Sequence, residues 1–259
     1  MKRYKVALLH LSPQLGEVDS NRNKTEYAVR LAAAAGADIV ITPETAIPGY
    51  HFANLIGTDW IEPQPDSWLK SMADLAGELK INIFLGYQER DTATGKLYNT
   101  VFSLCKDGQI AGSHRKMGIS ADHTAEAWAT AGEIVDVIHC DGFKAGVLIC
   151  ADTWGPKFAA ELKEKGAQVL ISPAAWPPLP CPPEGCWEKR SAETGLPIWV
   201  CNRTGSEPKL DFTWGESIVA AGGKRVLEYS SEQPAVLLFD WDIEKQVPIQ
   251  TEFEIVPIV

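Results

Sequence analysis

A chain of 259 residues in which 45 % of the side chains are hydrophobic and 22 % charged has the make-up of an ordinary globular protein, so disordered and fibrous classes drop out. Its formal charge of −10 argues against nucleic acid and anionic membrane as partners. The apolar run after Met1 to Arg3 is too short for a signal peptide and no run approaches membrane-spanning length, so a cytoplasmic protein is expected. The six cysteines, at 105, 140, 150, 181, 186 and 201, form no CxxC pair. They read as reduced thiols, and neither a metal nor another cofactor is expected.

In chain order, Lys5 to Leu11 reads as a buried strand, and Asp19-Ser20-Asn21 offers N-cap side chains to an Ala-rich helix that Gly36 ends. Asp38 to Ile41 is the next strand and delivers Thr42-Pro43-Glu44 at its carboxyl end, before the turn signal Pro48-Gly49-Tyr50. Tyr50 to Pro65 is an irregular loop placed to wall a pocket. Ser67 to Lys80 is an amphipathic helix with Trp68, Met72, Leu75 and Leu79 on one side. Strands follow at Ile81 to Gln88, Leu97 to Cys105 and Gln109 to His114. The last runs into His114-Arg115-Lys116, three cations that by themselves read as a solvated edge.

Met117 to Gly132 is irregular and holds His123, Glu126 and Trp128. Ile134 to His139 and Phe143 to Ile149 form a hairpin over Asp141-Gly142, which leads to Cys150 and then a Gly-Pro step into a helix from Lys157 to Lys165. A cysteine at the carboxyl end of a buried strand sits where α/β proteins place their chemistry. A lone cysteine is more often an inert buried residue. Gln168 to Ser172 is a strand, the loop Pro173 to Gly185 carries six prolines and is stiff enough to shape a cleft, and Trp187 to Thr194 is a short helix. Ile198 to Asn202, a hairpin of Glu216 to Ala220 with Arg225 to Tyr229, and Ala235 to Asp240 complete the strands. The tail, residues 247–259, alternates apolar and polar residues with no obvious partner strand, which suggests pairing with another subunit. With no linker or composition break, residues 1–259 read as one domain, a layered α/β sandwich.

Glu44, Lys116 and Cys150 all stand at strand ends and together suit attack on a carbon bonded to nitrogen. A thiolate is the nucleophile, a carboxylate can take the thiol proton and later activate water, and an ammonium lowers the thiol pKa and stabilises an oxyanion. A thiol protease would instead need a histidine partner for Cys150, with His51, His114 and His123 the candidates.

The chain resembles the nitrilase superfamily of carbon-nitrogen hydrolases along nearly its whole length. The matching motifs are Thr42-Pro43-Glu44 with Pro-Gly-Tyr, His114-Arg115-Lys116, and Gly146-Val147-Leu148-Ile149-Cys150 with Asp152. Behind them come Gly166-Ala167-Gln168, Ser-Pro-Ala-Ala-Trp at 172 to 176, Trp187-Glu188, Asn202-Arg203-Thr204-Gly205 and Gly215-Glu216-Ser217-Ile218-Val219. The resemblance implies an α-β-β-α sandwich of two mixed sheets with helices outside, assembly as a homodimer or higher oligomer, and a Glu44-Lys116-Cys150 triad. A second family glutamate falls on Glu126. Substrate contacts are expected from Tyr50, Trp154, Ala174 and Trp176, with Trp187 as a further aromatic wall. Where many members that bind carboxylated substrates have an arginine after the cysteine, this chain has Ala-Asp-Thr-Trp-Gly-Pro-Lys. The implied activity is an amidase releasing ammonia from a small carboxamide through a thioester. N-carbamoyl hydrolysis, nitrile hydrolysis and a non-catalytic binding role stay open.

Overall fold

Val6 and Leu8 face one core while Ala7 and Leu9 face another, so the first strand lies buried between two apolar layers. The computed structural model describes residues 3–119, 125–140, 143–179 and 183–259. In order the elements are β1 (Arg3–His10), α1 (Val18–Ala34), β2 (Ile39–Ile41), α2 (Ala53–Ile56), α3 (Ser67–Leu79), β3 (Asn82–Arg90), β4 (Leu97–Leu104), β5 (Ile110–Arg115), β6 (Val137–Cys140) and β7 (Phe143–Val147). A 3-10 turn (Cys150–Thr153) precedes α4 (Pro156–Glu164), β8 (Val169–Ala174), α5 (Cys186–Thr194), β9 (Ile198–Asn202), β10 (Glu216–Ala221), β11 (Lys224–Ser230), β12 (Ala235–Asp242), β13 (Val247–Pro248) and β14 (Glu254–Pro257).

Among the described residues the strands form an eight-stranded sheet, ordered β13-β12-β1-β2-β3-β4-β5 with β14 also on β12, and a six-stranded sheet, ordered β11-β10-β9-β8-β7-β6. Each is built the same way. Three parallel strands, β1-β2-β3 in one and β7-β8-β9 in the other, are joined by crossovers and flanked by antiparallel neighbours. Residues on alternate positions of β1, β2, β3 and β12 divide between the core under α1 and α3 and the core against the second sheet. The result is the expected mixed two-sheet sandwich with outer helices.

Several local expectations need correction. Helix α1 starts at Val18 with Glu17 at the N-cap and no side-chain cap. Asn21 instead accepts from the Gln14 N–H at 2.9 Å and donates to the Ile47 carbonyl at 2.7 Å, tying two loops together. Ile134 is exposed and its strand begins only at Val137. The tail has its partner within the chain: β13 and β14 both pair antiparallel with β12, Val256 opposite Val236. Cys105 and Cys140 are joined as a disulfide rather than reduced, while Cys150, Cys186 and Cys201 are free and buried. Cys181, His123 and the Asp141-Gly142 turn lie outside the described residues. Among the described residues no helix is long and apolar enough to cross a membrane.

One glycine decides how β2 ends. The Gly86 N–H on β3 donates to Thr42 Oγ1 at 2.8 Å, and a Cβ added at Gly86 would stand 2.1 Å from the Pro43 carbonyl oxygen and 3.2 Å from Glu44 Cα. The Thr42-Pro43-Glu44 corner therefore lies against bare backbone. Gly86→Ala should destabilise the protein by about 1–3 kcal/mol, read as a fall in Tm of roughly 2–10 °C by circular dichroism. An unchanged Tm would show that the corner yields freely.

Candidate active site

Glu44, Lys116 and Cys150, which stand 34 to 106 residues apart in sequence, come together where the carboxyl ends of β2, β5 and β7 converge. Glu44 follows β2 and is fully buried. Its Oε1 accepts from Lys116 Nζ and from Asn99 Nδ2, each at 2.7 Å, and its Oε2 accepts from the Ala175 N–H at 3.0 Å. The Cys150 thiol reaches the same residue, its Sγ lying 4.0 Å from the Ala175 carbonyl oxygen. Lys116 ends β5 with its side chain buried and donates to Glu126 as well as Glu44. The second glutamate, suggested by resemblance, thus reaches the same ammonium.

Alternation along β5 explains why the three-cation run is no solvated edge. Only Arg115 points outward, where it pairs with Glu89 and Asp91 and lies over the Tyr98 ring, 3.9 Å from its centroid. His114 and Lys116 turn inward and are buried.

The charges settle the protonation states. Burial raises the Glu44 pKa, Lys116 opposes that and Glu126 adds to it, leaving the carboxyl above its ordinary value. For Lys116 burial works against the charge, yet Glu44 and Glu126, joined by Cys150 whenever that thiol ionises, outweigh it and hold the ammonium charged. Burial and then Glu44 push the Cys150 thiol well above its ordinary value, more than Lys116 brings it down. At rest Cys150 is thus a thiol, near a carboxylate able to take its proton. Both groups sit beside strained backbone: Thr45 and Cys150 have φ of 46° and 47°, the left-handed region that favours glycine.

The remaining candidates separate. Tyr50 is buried in a small apolar cluster with Ala125, Ala175 and Phe212, beside the charged groups, and burial keeps its phenol protonated. Glu207 fixes it by accepting from the Tyr50 and His51 N–H groups at 2.8 and 3.0 Å. Trp154 is half exposed and stacks on Trp176 with centroids 5.1 Å apart. Trp187 is fully buried core, and so is Ala174; it is Ala175, one residue on, that meets Glu44 and Cys150. His51 Nδ1 lies 3.2 Å from Glu207 and His114 Nε2 3.0 Å from Asp152, so neither is the thiol's partner. Arg190 and Arg203, the buried arginines of α5 and of the segment after β9, could in principle grip a substrate carboxylate, but both are committed. Arg190 holds Glu193 and the Thr153 and Trp154 carbonyls, and Arg203 pairs with Glu207 over the Phe212 ring. Among the described residues no cluster of three or more His, Cys, Asp and Glu side chains is arranged to hold a metal ion.

Sequence reasoning missed Asn99 and Ala175. An asparagine, a residue depleted in strands, inside the strand-like run Leu97 to Leu104 was the available signal for the first. Nothing in Ala175 marks it, because it acts through its backbone.

A family model for the carbon-nitrogen hydrolases matches residues 5–246. The chain belongs to this family, the nitrilase superfamily, and is a hydrolase of non-peptide carbon-nitrogen bonds. It is 26 % identical over 253 residues to 2-oxoglutaramate amidase of Bacillus subtilis, covering 96 % of this chain and 94 % of the relative. It is 25 % identical over 256 residues to the glutamine-dependent NAD(+) synthetase of Thermotoga maritima, of which it spans 44 %. The crystal structure of Saccharomyces cerevisiae Nit3, a nitrilase-superfamily member, superposes with a TM-score of 0.81 at 25 % identity, covering 94 % of this chain and 93 % of that one.

The raised thiol has a direct signature. Alkylation of Cys150 by iodoacetamide, followed by mass spectrometry, should still be climbing past pH 9.0, the ordinary thiol value. A plateau reached below about pH 8 would mean a thiolate at rest.

Proposed function

We propose that the protein is an amidase that hydrolyses small, neutral or cationic primary carboxamides through a thioester on Cys150. The observation that carries this reading is the meeting of the three groups in one buried cluster, with Glu44 bonded to the Lys116 ammonium and both Glu44 and the Cys150 thiol set against Ala175. In the first half-reaction Glu44 takes the Sγ proton as the sulfur attacks the amide carbon. The carbonyl oxygen gathers negative charge against Lys116, which has three N–H donors and spends two on Glu44 and Glu126. Glu44 then returns its proton to the nitrogen, the C–N bond breaks and ammonia leaves. In the second half Glu44 deprotonates a water that attacks the thioester carbon, the C–S bond breaks, and the proton goes back to Sγ.

The raised pKa of Glu44 suits a base that must accept a thiol proton near neutral pH. Glu126 gives Lys116 a second carboxylate, so the ammonium keeps its proton while Glu44 is transiently neutral. An amide in preference to a nitrile is supported by the amidase name of the Bacillus relative.

The preference for uncharged acyl groups rests on how the cations are used. Lys116 already faces two carboxylates, and Arg190 and Arg203 are bound elsewhere. A substrate carboxylate would enter with no partner, which costs several kcal/mol. Ammonia release should be compared for matched pairs that differ only in a terminal carboxylate against its amide or methyl ester. The neutral partner is expected to have a kcat/KM higher by about 10²-fold or more. A consistent preference for the free acid would move the protein to carboxylated substrates.

A further inference from the structure

We infer that Asp152 and His114 are positioning residues that set the distance between Lys116 and Cys150; this rests on the reading of those two groups as the reacting pair. Lys116 ends the edge strand β5 of the larger sheet, whereas Cys150 follows β7 of the smaller one. Among the described residues no hydrogen-bonded ladder joins the two sheets, so strand pairing does not fix the separation. Side chains must do it.

One carboxylate spans the gap. Asp152 Oδ1 accepts from the Met117 and Gly118 N–H groups at 2.9 and 2.7 Å, and Oδ2 lies 3.0 Å from His114 Nε2 and accepts from the Ile149 N–H at 3.0 Å. His114, Met117 and Gly118 bracket Lys116, and Ile149 adjoins Cys150. An ionised carboxylate only accepts, so the hydrogen of this contact sits on Nε2. Both side chains are almost fully buried, at 1 % and 2 % exposure. The approach is close: a Cβ on Gly118 would stand 3.3 Å from Asp152 Oδ1 and 3.4 Å from the Ala151 carbonyl.

The far end of the same turn is held from the other side, where Arg190 Nη1 donates to the Thr153 and Trp154 carbonyls at 3.0 and 2.9 Å. A cysteine at φ 47° persists only where its surroundings over-determine it. The Asp152 bonds and Arg190 do so here. Loosening the Asp152 link lets the segment carrying the ammonium drift from the sulfur without touching either group.

The test uses Asp152→Asn, His114→Leu and His114→Gln in the full chain, with kcat and KM on the best amide, the pH profile of Cys150 alkylation, and Tm. Misplacement by about an ångström costs on the order of 10²-fold, so Asp152→Asn and His114→Leu should lose about that factor in kcat, with KM little changed. Their alkylation profiles should move to higher pH, because the ammonium that eases thiolate formation withdraws. His114→Gln, whose amide N–H can replace Nε2–H, should recover most of the activity at a Tm close to that of His114→Leu. Should Asp152→Asn fail to fold, the two His114 variants carry the test. Wild-type kcat in a folded variant, an unmoved or lowered profile, or failure of Gln to outperform Leu overturns the inference. Failure of the underlying reading looks different: Cys150→Ala would then retain turnover.

Discussion

One ammonium is buried between two carboxylates, with a thiol close by, and the rest of the site follows from that arrangement. Burying ions is expensive, and a buried salt bridge is poor evidence of stability, since well-packed apolar residues often do as well. Lys116, Glu44 and Glu126 are therefore best understood as groups kept for chemistry at a cost in stability. Burial pushes Glu44 and the neighbouring thiol upward, the surplus of carboxylate adds to both shifts, and the same carboxylates hold Lys116 charged against its own burial. A base that holds its proton neither too weakly nor too tightly is what alternating proton transfers to sulfur, nitrogen and water require.

The fold delivers these groups through strand ends, which are rigid in direction but leave the last residues free to be shaped. Gly86 lets the Pro43-Glu44 corner lie on β3, and the Ala175 N–H, just beyond β8, orients Glu44 Oε2. Asn99 ties the other oxygen to β4. Each end belongs to a different strand, and two of them to different sheets, so the cluster depends on the sandwich being closed. Cys201 on β9 adds to that closure, its thiol lying 3.3 and 3.1 Å from the Leu9 and Ile41 carbonyls of the opposite sheet.

Much of this was legible in the sequence where the signal is local. Apolar runs and turn residues located most strands, and Glu44, Lys116 and Cys150 stood out because each ends one. Glu126 was readable only through resemblance, since its turn has no regular period. What escaped were partnerships between distant residues. Asp152 with His114 and Glu207 with Tyr50 are separated by 38 and 157 positions, and no window of sequence contains both members. The commitments of Arg190 and Arg203 were hidden in the same way, because charge alone does not reveal a buried partner. The tail alternated like a strand, but only the placement of β12 at the sheet edge supplied its mate. The Cys105–Cys140 link was likewise invisible, because it joins the end of β4 to β6 across irregular chain.

The covalent step is the centre of the account, and intact-mass analysis of enzyme quenched during turnover of a small primary amide tests it most directly. The mass should rise by the acyl group of the substrate, the adduct should map to the peptide carrying Cys150, and ammonia should appear in a burst equal to the enzyme present. Steady ammonia release with no adduct under any quench, undiminished in Cys150→Ala, would contradict it.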